Sequence, residues 1–187
     1  MELDDIGRTP IPGAAPAGQE PRYEPEFEQL QAEIDKLTSV TAGGAIDWNR
    51  VVNFAGQVLA TKAKDLTSAA YLAVGLMQTR GVEGLALGSR IMGDLVATFW
   101  EDCFPPKKRL RGRMGAFAWW QEKTLAWLRS YSDTTPVPAD LHQALKANMQ
   151  ALDQELGELM PDFPPLRDMV EAVGRLPVAQ DAPAPET

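Results

Sequence analysis

Proline placement constrains this chain more than any other feature. Proline has no amide hydrogen and its ring clashes with the preceding turn, so a helix interior excludes it. The prolines gather at 10–25, 105–106, 136–138, 161–165 and 177–185, and the stretches between are almost free of them. The chain is thereby cut into segments long enough for helices, joined by segments that cannot be helical. No segment shows the strict apolar–polar alternation of a half-buried strand. The expected fold class is all-α: a compact bundle of six or seven helices with disordered Pro/Ala-rich ends.

Apolar spacing within the proline-free segments supports this reading. Phe27, Leu30, Ile34 and Leu37 recur every three or four residues and predict a helix over 24–38, with Glu24, Glu26, Glu28, Glu33 and Asp35 on its polar side. Asp47 is a good N-cap for a helix over 47–62, whose stripe is Trp48, Val51, Val52, Ala55, Val58 and Leu59. Asp65 would cap a helix over 66–79 that is apolar almost all round, from Leu66 to Met77, and therefore central. Gly81 is its expected stop. A helix over 82–102 follows, carrying Gly84, Gly88 and Gly93 inside it. Interior glycines cost ~1 kcal/mol each relative to alanine, and close packing of two backbones is the simplest compensation. Helices over 109–131 and 139–159 and a short one near 165–175 complete the set.

The 187 residues suffice for one well-buried domain with tails. The expected organisation is a disordered leader at 1–21, a helical domain at 22–131, a helical extension at 138–175, and an interdomain linker at 176–187 leading to a C-terminal region outside this sequence. The formal charge is −8 and the pI about 4.7, which disfavours nucleic acid and anionic lipid as partners. No apolar run reaches the ~18 residues that cross a bilayer, and the acidic N-terminus lacks a signal peptide's apolar stretch, so the expected location is the cytoplasm.

Chemistry-bearing residues are sparse. One cysteine, Cys103, allows no internal disulfide and reads as a small buried hydrophobe. One histidine, His142, falls on the polar side of its helix, far in sequence from Cys103. A nucleophile–base pair needs the two together, and zinc needs three or four N/S ligands. The acid pairs Asp4/Asp5, Glu101/Asp102 and Glu155/Glu158 read as solvated faces, and Gly81, Gly84 and Gly88 lack the lysine of a phosphate loop. No catalytic, metal or cofactor-binding residue is expected, and no small-molecule substrate.

One segment stands out. Lys107-Lys108-Arg109-Leu110-Arg111-Gly112-Arg113 concentrates cations in an acidic chain, at the start of a helix where positive charge is slightly unfavourable. It reads either as a solvated helix start paired with nearby acids or as a docking patch for an acidic protein surface. Nearby, Trp119 and Trp120 point about 100° apart on the helix. The aromatic set Trp48, Phe99, Trp100, Phe117, Trp119, Trp120 and Trp127 reads mostly as core, with one tryptophan a candidate for an exposed binding position. Lys107, Lys108, Arg109, Arg111, Arg113, Trp119 and Trp120 are the candidate partner-binding residues.

Several motifs occur in a particular order. They are Arg22-Tyr23-Glu24-Pro25-Glu26-Phe27, Asp47-Trp48 with Val51-Val52, Leu59 with Lys64-Asp65-Leu66, Gly81-Val82-Glu83-Gly84-Leu85 with Gly88, Phe99-Trp100 with Pro105, and Arg111-Gly112-Arg113 with Trp119-Trp120. Together, over 22–131, they resemble the ImpA N-terminal domain of type VI secretion TssA proteins. Ala63 and Thr67 depart from the family pattern, where serine and a basic residue are common. The resemblance marks Trp48, Asp65, Leu66, Gly84, Gly88 and Trp100 as structural motif positions. It implies a cytoplasmic assembly component that contacts baseplate and contractile sheath or tube proteins, with oligomerisation supplied by its own C-terminal domain. The alternative is a single-partner adaptor of the same system. A cell-wall hydrolase, a third possibility, finds no triad, metal set or carboxylate pocket here.

Overall fold

The computed structural model describes residues 1–41 and 44–180. Among these residues it forms six helices: α1 Pro25–Asp35, α2 Trp48–Thr61, α3 Leu66–Phe99, α4 Leu110–Ser130, α5 Ala139–Leu159 and α6 Arg167–Gly174. Among the same residues, pairing of extended backbone is confined to isolated bridges, Gly18 with Ala63, Asp65 with Phe104, and Val137 with Val178.

The 34-residue α3 is not one rod. Gly81 stands at φ 62°, ψ −137°, a conformation that a side chain forbids, and the chain reverses there. A Cβ on Gly84 would overlap the Leu76 carbonyl oxygen, and one on Gly88 would lie 2.7 Å from Ala73 Cα. Position 84 thus meets 76 while 88 meets 73, so the two arms run antiparallel with backbones touching. The stop expected at Gly81 and the seam expected at Gly84 and Gly88 are both present. Gly93 has nothing within 4 Å of where a Cβ would stand, so close packing does not explain it.

This hairpin is the centre of the molecule. Leu66, Ala69, Leu72, Leu76, Ile91, Met92 and Leu95 on its arms are all buried. α2, α4 and α5 lie along it, α1 packs mainly on α2, and α6 bridges α4 and α5. One apolar cluster runs from Leu3 to Leu176, so the 138–175 segment shares the core of the preceding helices.

Side chains place the helix starts. Asp47 accepts from the Asn49 and Arg50 amides, and Asp65 from the Ser68 amide and hydroxyl. Glu33, read from sequence on the polar side of α1, is instead buried and accepts the Asp47 amide at 2.6 Å. Burial pushes its carboxyl up, but the Asp47 amide, Lys36 and Arg50 outweigh this and hold it below the ordinary range. Its position three after Leu30 and next to Ile34 turns it inward. His142 also departs from expectation. It is half-buried, and its Nε2–H donates to the Val173 carbonyl at 2.9 Å, tying α5 to α6.

The leader is the main correction. Residues 1–21 were expected to be disordered, yet Leu3, Ile6, Ile11 and Ala17 are buried against the bundle. Proline excludes helix, not packing, and Leu3, Ile6 and Ala17 join the core cluster. The Gln19 amide donates to the Lys62 carbonyl, and the Lys64 amide donates to that of Ala17. At the other end, Leu176 is buried, and Val137 exchanges amide–carbonyl bonds with Pro177 and Ala179, so the expected linker begins as part of the fold. Residues 181–187 of that linker lie outside the described residues, as does Gly43 of the expected break after α1.

Candidate docking surface

The basic segment sits where α3 ends and α4 begins. Phe99 and Trp100 are buried, and Pro105-Pro106 prevents the helix from continuing, so residues 101–109 form a connecting loop. Cys103 anchors it from inside. Its thiol is buried, which pushes its pKa to about 11, and it donates to the Trp100 carbonyl at 3.7 Å. An inert core thiol follows.

Arg113 holds the loop from the α4 side. Its Nη1 donates to the Trp100 carbonyl at 2.7 Å, Nη2 to Cys103 at 2.8 Å and Nε to Pro105 at 2.7 Å. The guanidinium also lies 4.4 Å from the Trp100 ring centroid. The side chain is fully buried. Sequence reasoning placed Arg113 among the partner-binding cations; it is a loop clamp instead. A guanidinium's planar fork suits several carbonyls at once, which lysine could not match.

The other cations differ. Lys107 pairs with Glu101 at 2.7 Å, both exposed. Lys108, Arg109 and Arg111 are exposed, and none has a carboxylate within ion-pair distance among the described residues. The first turn of α4 carries no acid and no side-chain cap. Three cations thus face solvent at the positive end of a helix, without local compensation.

The tryptophans divide as well. Trp120 is buried in the core and leaves the candidate surface, because its rotation about the helix axis turns it inward. Trp119 is half-buried, edge-on to Tyr71 at 4.9 Å, with Lys123 Nζ 6.0 Å from its ring centroid. Trp48 and Trp127 are half-buried too. Arg111, Gly115, Trp119 and Lys123 recur every four residues, so one face of α4 continues the basic start through an aromatic to another cation. Lys123 was missed in the sequence, although the i+4 spacing marks it.

A buried polar node lies beneath the loop. Lys64 is almost fully buried, and its Nζ donates to the Ile6 and Leu59 carbonyls, each at 2.7 Å, 5.7 Å from the Phe99 ring centroid. Burial lowers its pKa to about 8. Asp65, also buried, is raised to about 6 by burial against the opposing pull of its Ser68 bonds. Neither Lys64 nor Asp65 carries a sequence signal of burial; only the cap role of Asp65 was legible.

Among the described residues, little else on the surface brings reactive groups together. One depression, about 480 Å³, is lined by Leu128, Tyr131, Ser132, Asp133, Arg175 and Pro177 among others, with no histidine or lysine beside the serine. Among the described residues no three His, Cys, Asp or Glu side chains converge as a metal would require, and no helix is long and apolar enough to cross a membrane.

The family profile "ImpA, N-terminal, type VI secretion system" matches residues 8–122, more than half of the chain. The chain belongs to the ImpA N-terminal family. Among solved structures, its fold is similar to the N-terminal domain, including the conserved ImpA_N region, of the TssA component of the type VI secretion system from Burkholderia cenocepacia. The TM-score is 0.70 at 24% identity, over 92% of this chain and 89% of that one. No curated protein matches by sequence. The ImpA_N match takes in the Lys64 node, the α3 hairpin, the Arg113 clamp and Trp119. It begins at Arg8, inside the packed leader.

Proposed function

We propose that this ImpA_N domain is a cytoplasmic assembly module of the type VI secretion apparatus that docks on baseplate or sheath subunits and performs no catalysis. The observation that carries the docking site is the exposed cation group Lys108, Arg109 and Arg111 at the start of α4, rigidly presented by the Arg113 clamp and continued by Trp119 and Lys123. Three cations crowded at the positive end of a helix with no acid in its first turn repel one another and the helix dipole, at a small local cost. An acidic protein surface is the complement that repays it, and the half-buried Trp119 supplies the apolar anchor beside the charges. Oligomerisation by a C-terminal region would multiply this contact through avidity.

Co-purification tests the reading. The domain should bring down sheath or baseplate subunits, with binding that weakens as salt rises. Recovery of a single non-structural protein would instead support an adaptor role.

A further inference from the structure

The leader and the docking loop meet on the two sides of one residue. The Lys64 amide donates to the Ala17 carbonyl of the leader, at 2.8 Å. Its carbonyl accepts the Phe104 amide of the loop, at 2.9 Å. One residue on, the Leu66 amide donates back to the Phe104 carbonyl at 2.7 Å. The side chain repeats the link. Nζ ties to Ile6 of the leader while facing the ring of Phe99, next to Trp100, whose carbonyl and ring Arg113 holds.

The leader fits its bed closely. Gly7 lies so near the α3 backbone that a Cβ would stand 2.6 Å from the Ile91 carbonyl oxygen. Gly18 sits at φ 79° with Lys62 directly against it, where any side chain would overlap the carbonyl. Arg90 donates to the Asp4 carbonyl and lies 3.3 Å from the Asp5 carboxylate. Against this, the leader contributes only four buried apolar residues and makes few backbone bonds. Such a segment can detach without unfolding the bundle, as low-stability elements do.

We propose that residues 1–19 are a seating strap whose attachment orders the 101–109 loop through Lys64, so that leader release loosens the docking surface. This rests on the docking reading for its biological consequence, but the mechanical coupling stands apart from it. A partner that captures the leader would weaken docking, and a docked partner would hold the leader down, since coupling between sites is reciprocal.

Gly18→Val dislodges the leader while leaving Lys64 intact, and Lys64→Met cuts the side-chain tie while keeping the stem. Amide exchange reads both ends at once. The Lys64 amide reports the leader, and the Phe104 and Leu66 amides report the loop. Both variants should retain helical circular dichroism, with exchange at Phe104 and Leu66 rising about tenfold alongside Lys64. Faster exchange at Lys64 with Phe104 and Leu66 unchanged in Gly18→Val would overturn the strap. Should Lys64→Met lose helicity, Gly18→Val alone decides. Binding to purified sheath or baseplate subunits forms a separate arm. Loosened loop amides without any loss of binding would count against the docking reading and leave the mechanical coupling intact.

Discussion

Arg113 shows how much a single side chain carries when it is enclosed. It satisfies the Cys103 and Pro105 carbonyls of the connecting loop and the Trp100 carbonyl at the end of α3. Buried carbonyls left without donors are costly, and hydrogen bonds from a charged donor are stronger than neutral ones. Arg113→Ala should lower stability by about 3 kcal/mol, read from urea midpoints, whereas Arg109→Ala, at an exposed position, should leave the midpoint unchanged. The two arginines are indistinguishable within the run at 107–113. What separates them is rotation about α4 and the presence of the Trp100–Pro105 carbonyls, and neither is visible in spacing alone. Asp65 offers a second test, through pH. Folded, its carboxyl keeps a proton up to about pH 6, while its ordinary value is 3.8. The folded state therefore binds more protons across that window, and the Asp65 contribution to stability falls as pH rises through it. Asp65→Asn should remove that fall, measured as the difference in urea midpoint between pH 4.5 and pH 7 for the variant and the parent.

At the scale of elements, the α3 hairpin reverses the usual glycine rule. Replacing a helical glycine by alanine ordinarily stabilises by up to about 1 kcal/mol. Gly93→Ala, with open space around it, should follow that rule and raise the melting temperature slightly. Gly84→Ala should do the opposite and lower it by several degrees, because the new methyl meets the Leu76 carbonyl of the facing arm. Equal melting of the two variants would contradict the hairpin geometry. Much of this element was legible in the sequence: the apolar run, the Gly81 stop and a packing seam at Gly84 and Gly88 were readable, though not that the seam faces the preceding arm. The caps at Asp47 and Asp65 were legible for the same local reason, since a capping side chain acts within three residues. The leader was not. Its prolines announce what it cannot be, whereas Leu3, Ile6 and Ala17 join an apolar core built by helices far along the chain. Glu33 and His142 were misjudged alike, because a polar residue type suggests solvent until its distant partner is known.

Across the whole molecule, charge is arranged against its own average. The chain is acidic overall, with exposed acids on α1, yet three cations without local partners crown α4. Burial removes Arg113 and Trp120 from the surface that the sequence suggested, and spacing adds Lys123. The remaining face is smaller and more specific: Lys108, Arg109, Arg111, Trp119 and Lys123, standing on a clamped loop. Reversing the charges at Lys108, Arg109 and Arg111 together should abolish salt-sensitive capture of secretion-apparatus subunits while leaving the helical spectrum unchanged. The most direct measurement is site-specific photo-crosslinking in cells that assemble the apparatus, with the reactive group at Arg111 and, as control, at the exposed Arg175 after α6. The expected result is a crosslink from position 111 to a baseplate or sheath subunit and none from 175; crosslinks from 175 with none from 111 would contradict the docking face.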